Sequence, residues 1–182
     1  MIPPPFPAAA RAAVRDAAKA GLRNASGAED ALIEQFAGVA LGLAEAFTGS
    51  ALIVRDWVET VPAAPCWQRL TMAPVLAIGT VEGLPAEGAA FALASDAYAI
   101  DIDAASEGWV RVTQPGAAGR VRVTYSAGMA ESFDALPEPL AQGVVLLTAH
   151  LFEARPPDAA PPAAVGALWR PWRRTRLSGG TR

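Results

Sequence analysis

The clearest pattern along the chain is a change of hydrophobic period at Gly49. Before this glycine, apolar residues recur every three or four positions, which is typical of one face of an amphipathic helix. These residues are Leu32, Phe36, Val39, Leu43 and Phe47. Ser26 and Glu29 have the spacing of a capping box at the start of this helix, and Gly49 suits the left-handed position at its end. We therefore expect a helix over residues 28–48 that packs through this apolar stripe.

The same helical period predicts two further helices, over residues 8–20 and 138–154. The interval 51–126 is predicted to be β, because short runs rich in β-branched and aromatic residues alternate with Gly, Pro and Asp turns. Within it, residues 120–125 alternate strictly, so one face of that strand should be buried and the other wet. The fold class expected is α+β: a small helical bundle with an inserted antiparallel β region and an extended C-terminal arm.

The two ends of the chain differ in composition from the middle. Residues 1–7 are rich in proline and predicted to be a flexible N-terminus, and residues 8–155 form the body. Residues 156–167 contain several prolines and are predicted to be a stiff, extended spacer. Beyond the spacer, residues 168–182 form an aromatic and basic arm, which is too short to build a core of its own.

Charge separates this arm from the body. The last thirteen residues contain five arginines and no acidic residue; subtracting these 5 from 15 basic residues leaves 10 against 18 acidic ones, a net charge of −8. A basic arm on an acidic body predicts contact with an acidic surface elsewhere. Tryptophan and arginine dominate interface energetics, which favours a protein partner. Nucleic-acid binding is the alternative function of this arm, since arginine pairs with phosphate and tryptophan stacks on bases. A third interpretation is a solvated tail without a partner.

No group of residues predicts catalysis. His150 is the single histidine, and Cys66 the single cysteine, which we expect to be a small core residue. Asp101 and Asp103 could face a hard cation from one strand, but a solvated strand edge is the better interpretation. Nucleophile elbows and phosphate-binding glycine loops are absent from the sequence. The chain is therefore predicted not to be an enzyme and to bind neither a cofactor nor a metal.

Two further observations predict the cellular compartment of the protein. The sequence has no uninterrupted apolar run close to the roughly 18 residues of a membrane helix, and its N-terminus does not have the pattern of a signal peptide. A single cysteine rules out an internal disulfide and suits a reducing compartment. These features predict a soluble intracellular protein that does not bind a membrane.

The order of these segments resembles that of the head–tail connector (adaptor) proteins of long-tailed bacteriophages and phage-derived gene transfer agents. The similarity extends over roughly residues 10 to 176. The matching segments are residues 29–33, 44–49, 52–57, 121–128, 136–140 and 146–150.

This resemblance implies a structural protein rather than an enzyme. Connectors of this kind form a dodecameric ring under the portal, join the capsid to the tail and line the DNA channel. The implied partners are other copies of the chain, the portal protein, a downstream stopper or tail protein, and DNA that passes without sequence-specific binding. The implied location is the bacterial cytoplasm during assembly, and afterwards the neck of the particle.

The resemblance also gives the C-terminal arm a hypothetical role as the portal-binding element. The residues concerned are Leu168, Trp169, Arg170, Trp172, Arg173, Arg174 and Arg176. In this hypothesis the tryptophans enter apolar pockets of the portal and the arginines pair with portal carboxylates. The alternative function is that of a DNA-binding accessory protein acting through the same arm.

Overall fold

The computed structural model describes residues 3–23, 26–154 and 160–174, which belong to two compact units. The helical unit takes its described residues from Phe6–Ile53 and Ala130–Arg182. The β unit takes them from Met1–Pro5 and Val54–Met129. Helices and antiparallel sheets are both present, so the α+β class predicted from the sequence is confirmed.

Four α-helices lie in the helical unit: α1 (Ala8–Leu22), α2 (Asp30–Thr48), α3 (Glu138–Glu153) and α4 (Ala163–Trp169). The first three contact one another, and α4 contacts α3 and α2. Short 3-10 turns cover Phe133–Ala135 and Arg170–Trp172. The bounds of the first three helices differ by at most two residues from those predicted, as expected for helix ends.

The start and the end of α2 differ in how well the sequence predicted them. The predicted capping box is wrong: the Ser26 hydroxyl accepts the N–H of Ala28 at 3.2 Å, and Glu29 precedes the helix without a side-chain cap. Gly49 at the other end is left-handed (φ 69°), and its N–H donates to the Glu45 carbonyl at 2.8 Å, as predicted. The Glu45 carboxylate accepts the N–H of Leu52 at 2.8 Å, which ties the helix end to the chain that follows.

The β unit contains two antiparallel sheets. The four-stranded sheet has the order β1 (Arg55–Pro62), β7 (Ala118–Ala127), β3 (Val75–Pro85) and β4 (Phe91–Ala92). The three-stranded sheet has the order β2 (Gln68–Arg69), β6 (Gly108–Val112) and β5 (Tyr98–Ile102). All the pairs within them are antiparallel. The pairs β3–β4 and β5–β6 are joined by short turns, whereas β7 pairs with β1 and β3 from a distant part of the chain.

Strand β7 lies between β1 and β3 and alternates as its sequence predicts. Val121, Val123 and Tyr125 are buried, whereas Arg120 and Arg122 are exposed. The core side of this sheet also holds Trp57, whose indole N–H donates to the Ala127 carbonyl at 3.2 Å. The Tyr125 hydroxyl donates to Glu59 at 3.1 Å and accepts the N–H of Met72 at 3.2 Å. The buried aromatic side chains therefore keep hydrogen-bond partners for their polar atoms.

Candidate interaction surface of the helical unit

Helix α2 is apolar on two adjacent faces, and these faces have different surroundings. Its inner face is buried and includes three alanines; its members are Ile33, Ala37, Ala40, Leu41 and Ala44. A second set of residues, which we call the outer stripe, lies about 100° around the helix from this face, because four of its members directly precede members of the inner face. The outer stripe consists of Leu32, Phe36, Val39, Leu43 and Phe47. Phe36 is half-buried and the other four are exposed by 36 to 49%. The prediction that this stripe packs into the core is therefore wrong.

The charged residues of α2 explain which face turns inward. Glu34 pairs with Arg15 of α1 at 3.3 Å, and Asp30 pairs with Lys19 of the same helix. These ion pairs flank the inner face. Small side chains on that face let neighbouring helix backbones approach closely, and the large side chains of the outer stripe lie on the flank away from Asp30 and Glu34. The 3.6-residue period fits both faces equally and does not distinguish them.

Residues of the outer stripe and of α3 line two clefts, which we together call the helical groove. At one end, Leu32 and Phe36 line a cleft of about 590 Å³ with Leu151 and Phe152 near the end of α3. At the other end, Leu43 and Phe47 line a cleft of about 650 Å³, which Leu147 and residues of α4 complete. The walls of the second cleft are largely apolar, as in sites that accept apolar side chains.

Trp169 of α4 is seated at the second end of this groove. It is only 3% exposed, its indole N–H donates to the Leu140 carbonyl at 3.3 Å, and its ring centroid lies 5.8 Å from that of Phe47. The indole lies where a side chain at position 143 would be, because a Cβ added to Gly143 would overlap it. Val165, one turn earlier, is also buried. The two residues form the apolar face of a short helix on its own unit.

This arrangement corrects the prediction of an extended C-terminal region. Residues 163–172 are helical and pack on α2 and α3, whereas the sequence predicted an extended spacer to residue 167 followed by an arm held off the body. The reason is the spacing of Val165 and Trp169, which makes a helical face that fits beside Gly143. The parts of the predicted spacer at residues 156–159 lie outside the described residues.

The other residues of the predicted arm differ in exposure. Arg170 and Arg173 are exposed, and the Arg173 guanidinium lies 5.9 Å from the Phe47 ring centroid. Leu168, Trp172 and Arg174 are half-buried, and the Arg174 backbone N–H donates to the Thr48 carbonyl at 2.8 Å. Arg176 lies outside the described residues. The structure thus brings the arm residues it describes to the C-terminal end of α2, with the arginines Arg170 and Arg173 on the surface.

The remaining candidates from the sequence have structural surroundings of their own. Asp103 accepts the backbone N–H groups of Ala105 and Glu107, both at 2.9 Å, and the Trp109 indole N–H at 3.0 Å, so its carboxylate organises the turn between β5 and β6. Asp101 is exposed.

Cys66 and His150 belong to different units. Cys66 is exposed, so the prediction of a core cysteine is wrong, and it belongs to the β unit. His150 is half-buried on α3 of the helical unit. Among the residues that the structure describes, no three or more His, Cys, Asp or Glu side chains group as a metal site would require.

By length and composition, α2 is also apolar enough to cross a membrane. Core helices of soluble proteins pass the same test, and the inner face of α2 is buried in its own unit. Helix α2 meets this criterion because both its buried inner face and its outer stripe are apolar.

Several solved structures match this chain, and three of them cover nearly all of it. A chain in the neck of an empty gene transfer agent particle, computed with C6 symmetry, is 29% identical to this one over 99% of both chains, with a TM-score of 0.77. A chain in the virion of a native gene transfer agent particle is 33% identical over 96% of this chain and 95% of that one, with a TM-score of 0.73. The chain belongs to the head–tail connector family. The neck of a native particle, computed with C12 symmetry, matches this connector at 29% identity over 99% of both chains, with a TM-score of 0.73.

No family model matches the sequence of this connector, and no curated protein matches it. The family assignment therefore depends on the whole-chain agreement with solved structures and on the order of segments noted above. A connector has a structural role. That role accounts for a candidate site that is an apolar surface on α2, α3 and α4 rather than a cluster of reactive side chains.

Proposed function

We propose that this chain is a structural adaptor in the neck of a gene-transfer-agent-like particle, where copies of it form a ring. The observation that carries the proposal is the agreement over 99% of both chains with neck structures, at TM-scores of 0.77 and 0.73. Those necks were computed with C6 and C12 symmetry, which supports a ring of identical subunits. The DNA-binding alternative receives no support from these matches.

The ring contains twelve copies in this proposal, with the portal protein on one side and a stopper or tail protein on the other. The net charge of −8 outside the last thirteen residues supports a channel that DNA crosses without being held, because like charges repel phosphate. Assembly takes place in the bacterial cytoplasm, and the finished ring stays in the neck. None of these steps requires a cofactor or a catalytic residue.

The C-terminal arm binds the portal in this proposal, with roles divided by exposure. Trp169 is buried against α3 and holds α4 in place, so it does not enter a portal pocket in this arrangement. Arg170 and Arg173 are exposed beside the half-buried Trp172. Two surface arginines next to an aromatic ring suit a protein surface that offers carboxylates. Twelve copies would raise the avidity of a weak single contact.

The test is the binding of the purified connector to the portal ring of the same particle, measured by native mass spectrometry and by titration. The variant R170E/R173E reverses the two exposed arm charges. Its control, R23E/R120E, makes the same change of net charge on two exposed arginines outside the arm. We expect R170E/R173E to weaken portal binding at least about tenfold per contact, because each lost charge pair is worth about 1.4 kcal/mol or more. The control should bind like the wild type.

Two other results would count against different parts of the proposal. Equal portal binding by R170E/R173E and by the wild type would overturn the role of the arm. A wild-type chain that neither forms a ring nor binds the portal would overturn the adaptor function itself.

A further inference from the structure

We propose that the outer stripe of α2 and the end of the helical groove lined by Leu32 and Phe36 form the surface by which one copy of the chain packs against the next. The inference rests on the proposed ring and names the subunit interface within it. The partner is a second copy of this chain. The size of the outer stripe, the lack of exposed charge on α2 and the packing of α4 in the groove support this assignment.

The outer stripe is too long and too apolar to be an ordinary surface. From Leu32 to Phe47 it covers sixteen residues, a rise of about 22 Å at 1.5 Å per residue. Four of its five side chains are exposed by more than a third, and all five are large and apolar. Contiguous apolar surface of this extent on a soluble protein marks an interaction site. A second chain packed on it would remove this surface from water.

Charge narrows the choice of partner. Between Gln35 and Phe47 the only charged residue is Glu45, which is buried and accepts the N–H of Leu52. Helix α2 itself therefore presents no charged side chain to solvent over three turns. The exposed Arg170 and Arg173 lie at the Phe47 end of the stripe. A nucleic-acid backbone requires cationic side chains along its length, which α2 does not supply. Among the partners proposed above, a second copy is the one that the ring-symmetric neck structures support. The centre of a permanent protein–protein interface has the composition seen here.

The groove already holds a helix of its own chain at one end. Val165 and Trp169, four residues apart on α4, are buried beside Leu43 and Phe47, and a cleft of about 650 Å³ remains next to them. The cleft at the other end is lined by Leu32, Phe36 and Leu151, with Glu29 and Glu153 in its walls as well. A groove that accepts apolar anchors at helical spacing from one segment is suited to accept them from another. In a closed ring each copy offers two different surfaces, so the groove of one copy receives a different apolar surface of its neighbour.

The deciding experiment introduces charge into the outer stripe without touching the core. Val39 and Leu43 are exposed by 49% and 46%, so neither lies in the buried core of the unit. Leu43 also lines the cleft beside Trp169, so tryptic cleavage after Arg173 checks that V39E/L43E leaves α4 in place. The matched control is V58E/L76E, which changes a valine and a leucine exposed by 49% and 52% on β1 and β3. Ring formation is measured by native mass spectrometry, alone and with the portal ring. Circular dichroism and the melting temperature check the fold, and V39S/L43S replaces V39E/L43E should the latter not fold.

We expect V39E/L43E to require at least about a hundredfold higher concentration for ring formation, because a buried unpaired charge costs several kcal/mol at each contact. The control should form rings like the wild type. Ring formation by V39E/L43E at wild-type concentrations would overturn the inference and leave the adaptor function standing. Equal loss of rings in both pairs would also overturn it, since the effect would not be specific to α2.

Two results with the wild type distinguish a failure of this inference from a failure of the adaptor function on which it rests. A wild type that forms no ring, alone or with the portal, would overturn the adaptor function together with the inference. Binding of the wild type to phosphatidylcholine–phosphatidylglycerol vesicles, lost in V39E/L43E, with rings unaffected, would assign the stripe to a membrane and overturn the inference alone.

Discussion

Strand β7 and helix α2 both carry a regular hydrophobic pattern, but only the strand turns its pattern to the core. In β7 the residues that alternate with the buried Val121 and Val123 are the charged Arg120 and Arg122, so a single face can be buried. In α2 the face beside the outer stripe is also apolar, and it contains smaller residues. Periodicity therefore identifies the buried face where the other faces are polar. Where two neighbouring faces are apolar, the face with the larger residues is available as a surface for another chain.

A matched pair of leucines on α2 gives the largest effect and tests this contrast directly. Leu41 is buried in the inner face, whereas Leu43 is 46% exposed in the outer stripe. We expect L41A to lower the free energy of unfolding by about 2–5 kcal/mol, because it leaves a cavity. L43A should lower it by less than about 1 kcal/mol, since the side chain is already half in water. Urea denaturation at a concentration below ring formation measures both.

The opposite ranking would remove the basis for distinguishing the two faces. If L43A destabilised the monomer as much as L41A does, the outer stripe would belong to the core of its own unit. In ring formation the order should reverse, with L43A weakening assembly although the monomer stays stable.

Several parts of the structure could be predicted from the sequence because local rules decide them. The alternation in β7, the left-handed Gly49 and the three longer helices all depend on neighbours within a few residues. The position of Trp169 could not be predicted in this way. It depends on Gly143, twenty-six residues earlier, whose missing side chain leaves room for the indole.

The candidate surface was visible in the sequence but was assigned to the wrong role. Leu32, Val39 and Phe47 stood out by their spacing, and spacing alone does not say whether they meet the same chain or another. The sign that could have separated the roles is size, since the large residues lie beside a row of alanines at positions 37, 40 and 44. Close helix packing needs the small residues inside.

A pair of helical glycines gives a smaller effect and tests the other occupant of the groove. In G143A the new methyl group would overlap the Trp169 indole, whereas a methyl group at Gly42 would have no atom within 4 Å. We expect G143A to displace α4 and to lower the free energy of unfolding by about 1–3 kcal/mol through lost burial of the indole. G42A should be neutral or stabilising by up to about 1 kcal/mol, because alanine favours the helix.

Tryptic cleavage after Arg173, followed by mass spectrometry, reports whether α4 has left the groove. Cleavage should be faster in G143A than in G42A or the wild type. Equal cleavage in all three would mean that Trp169 does not hold α4 in place. The packing of α4 would then no longer support the idea that the groove accepts apolar side chains from a second copy.

The smallest effect is expected on the wet face of β7. Arg122 pairs with Glu82 at 3.3 Å, and both side chains are more than a third exposed. We expect R122A to lower the free energy of unfolding by about 0–1 kcal/mol, because solvent screens exposed pairs and fixing two long side chains costs entropy. The difference should shrink further in 1 M salt, where the screening length falls to about 3 Å. A larger loss that persists in high salt would mean that this face of the sheet is covered, and β7 and α2 would then no longer differ in what their outward sides contact.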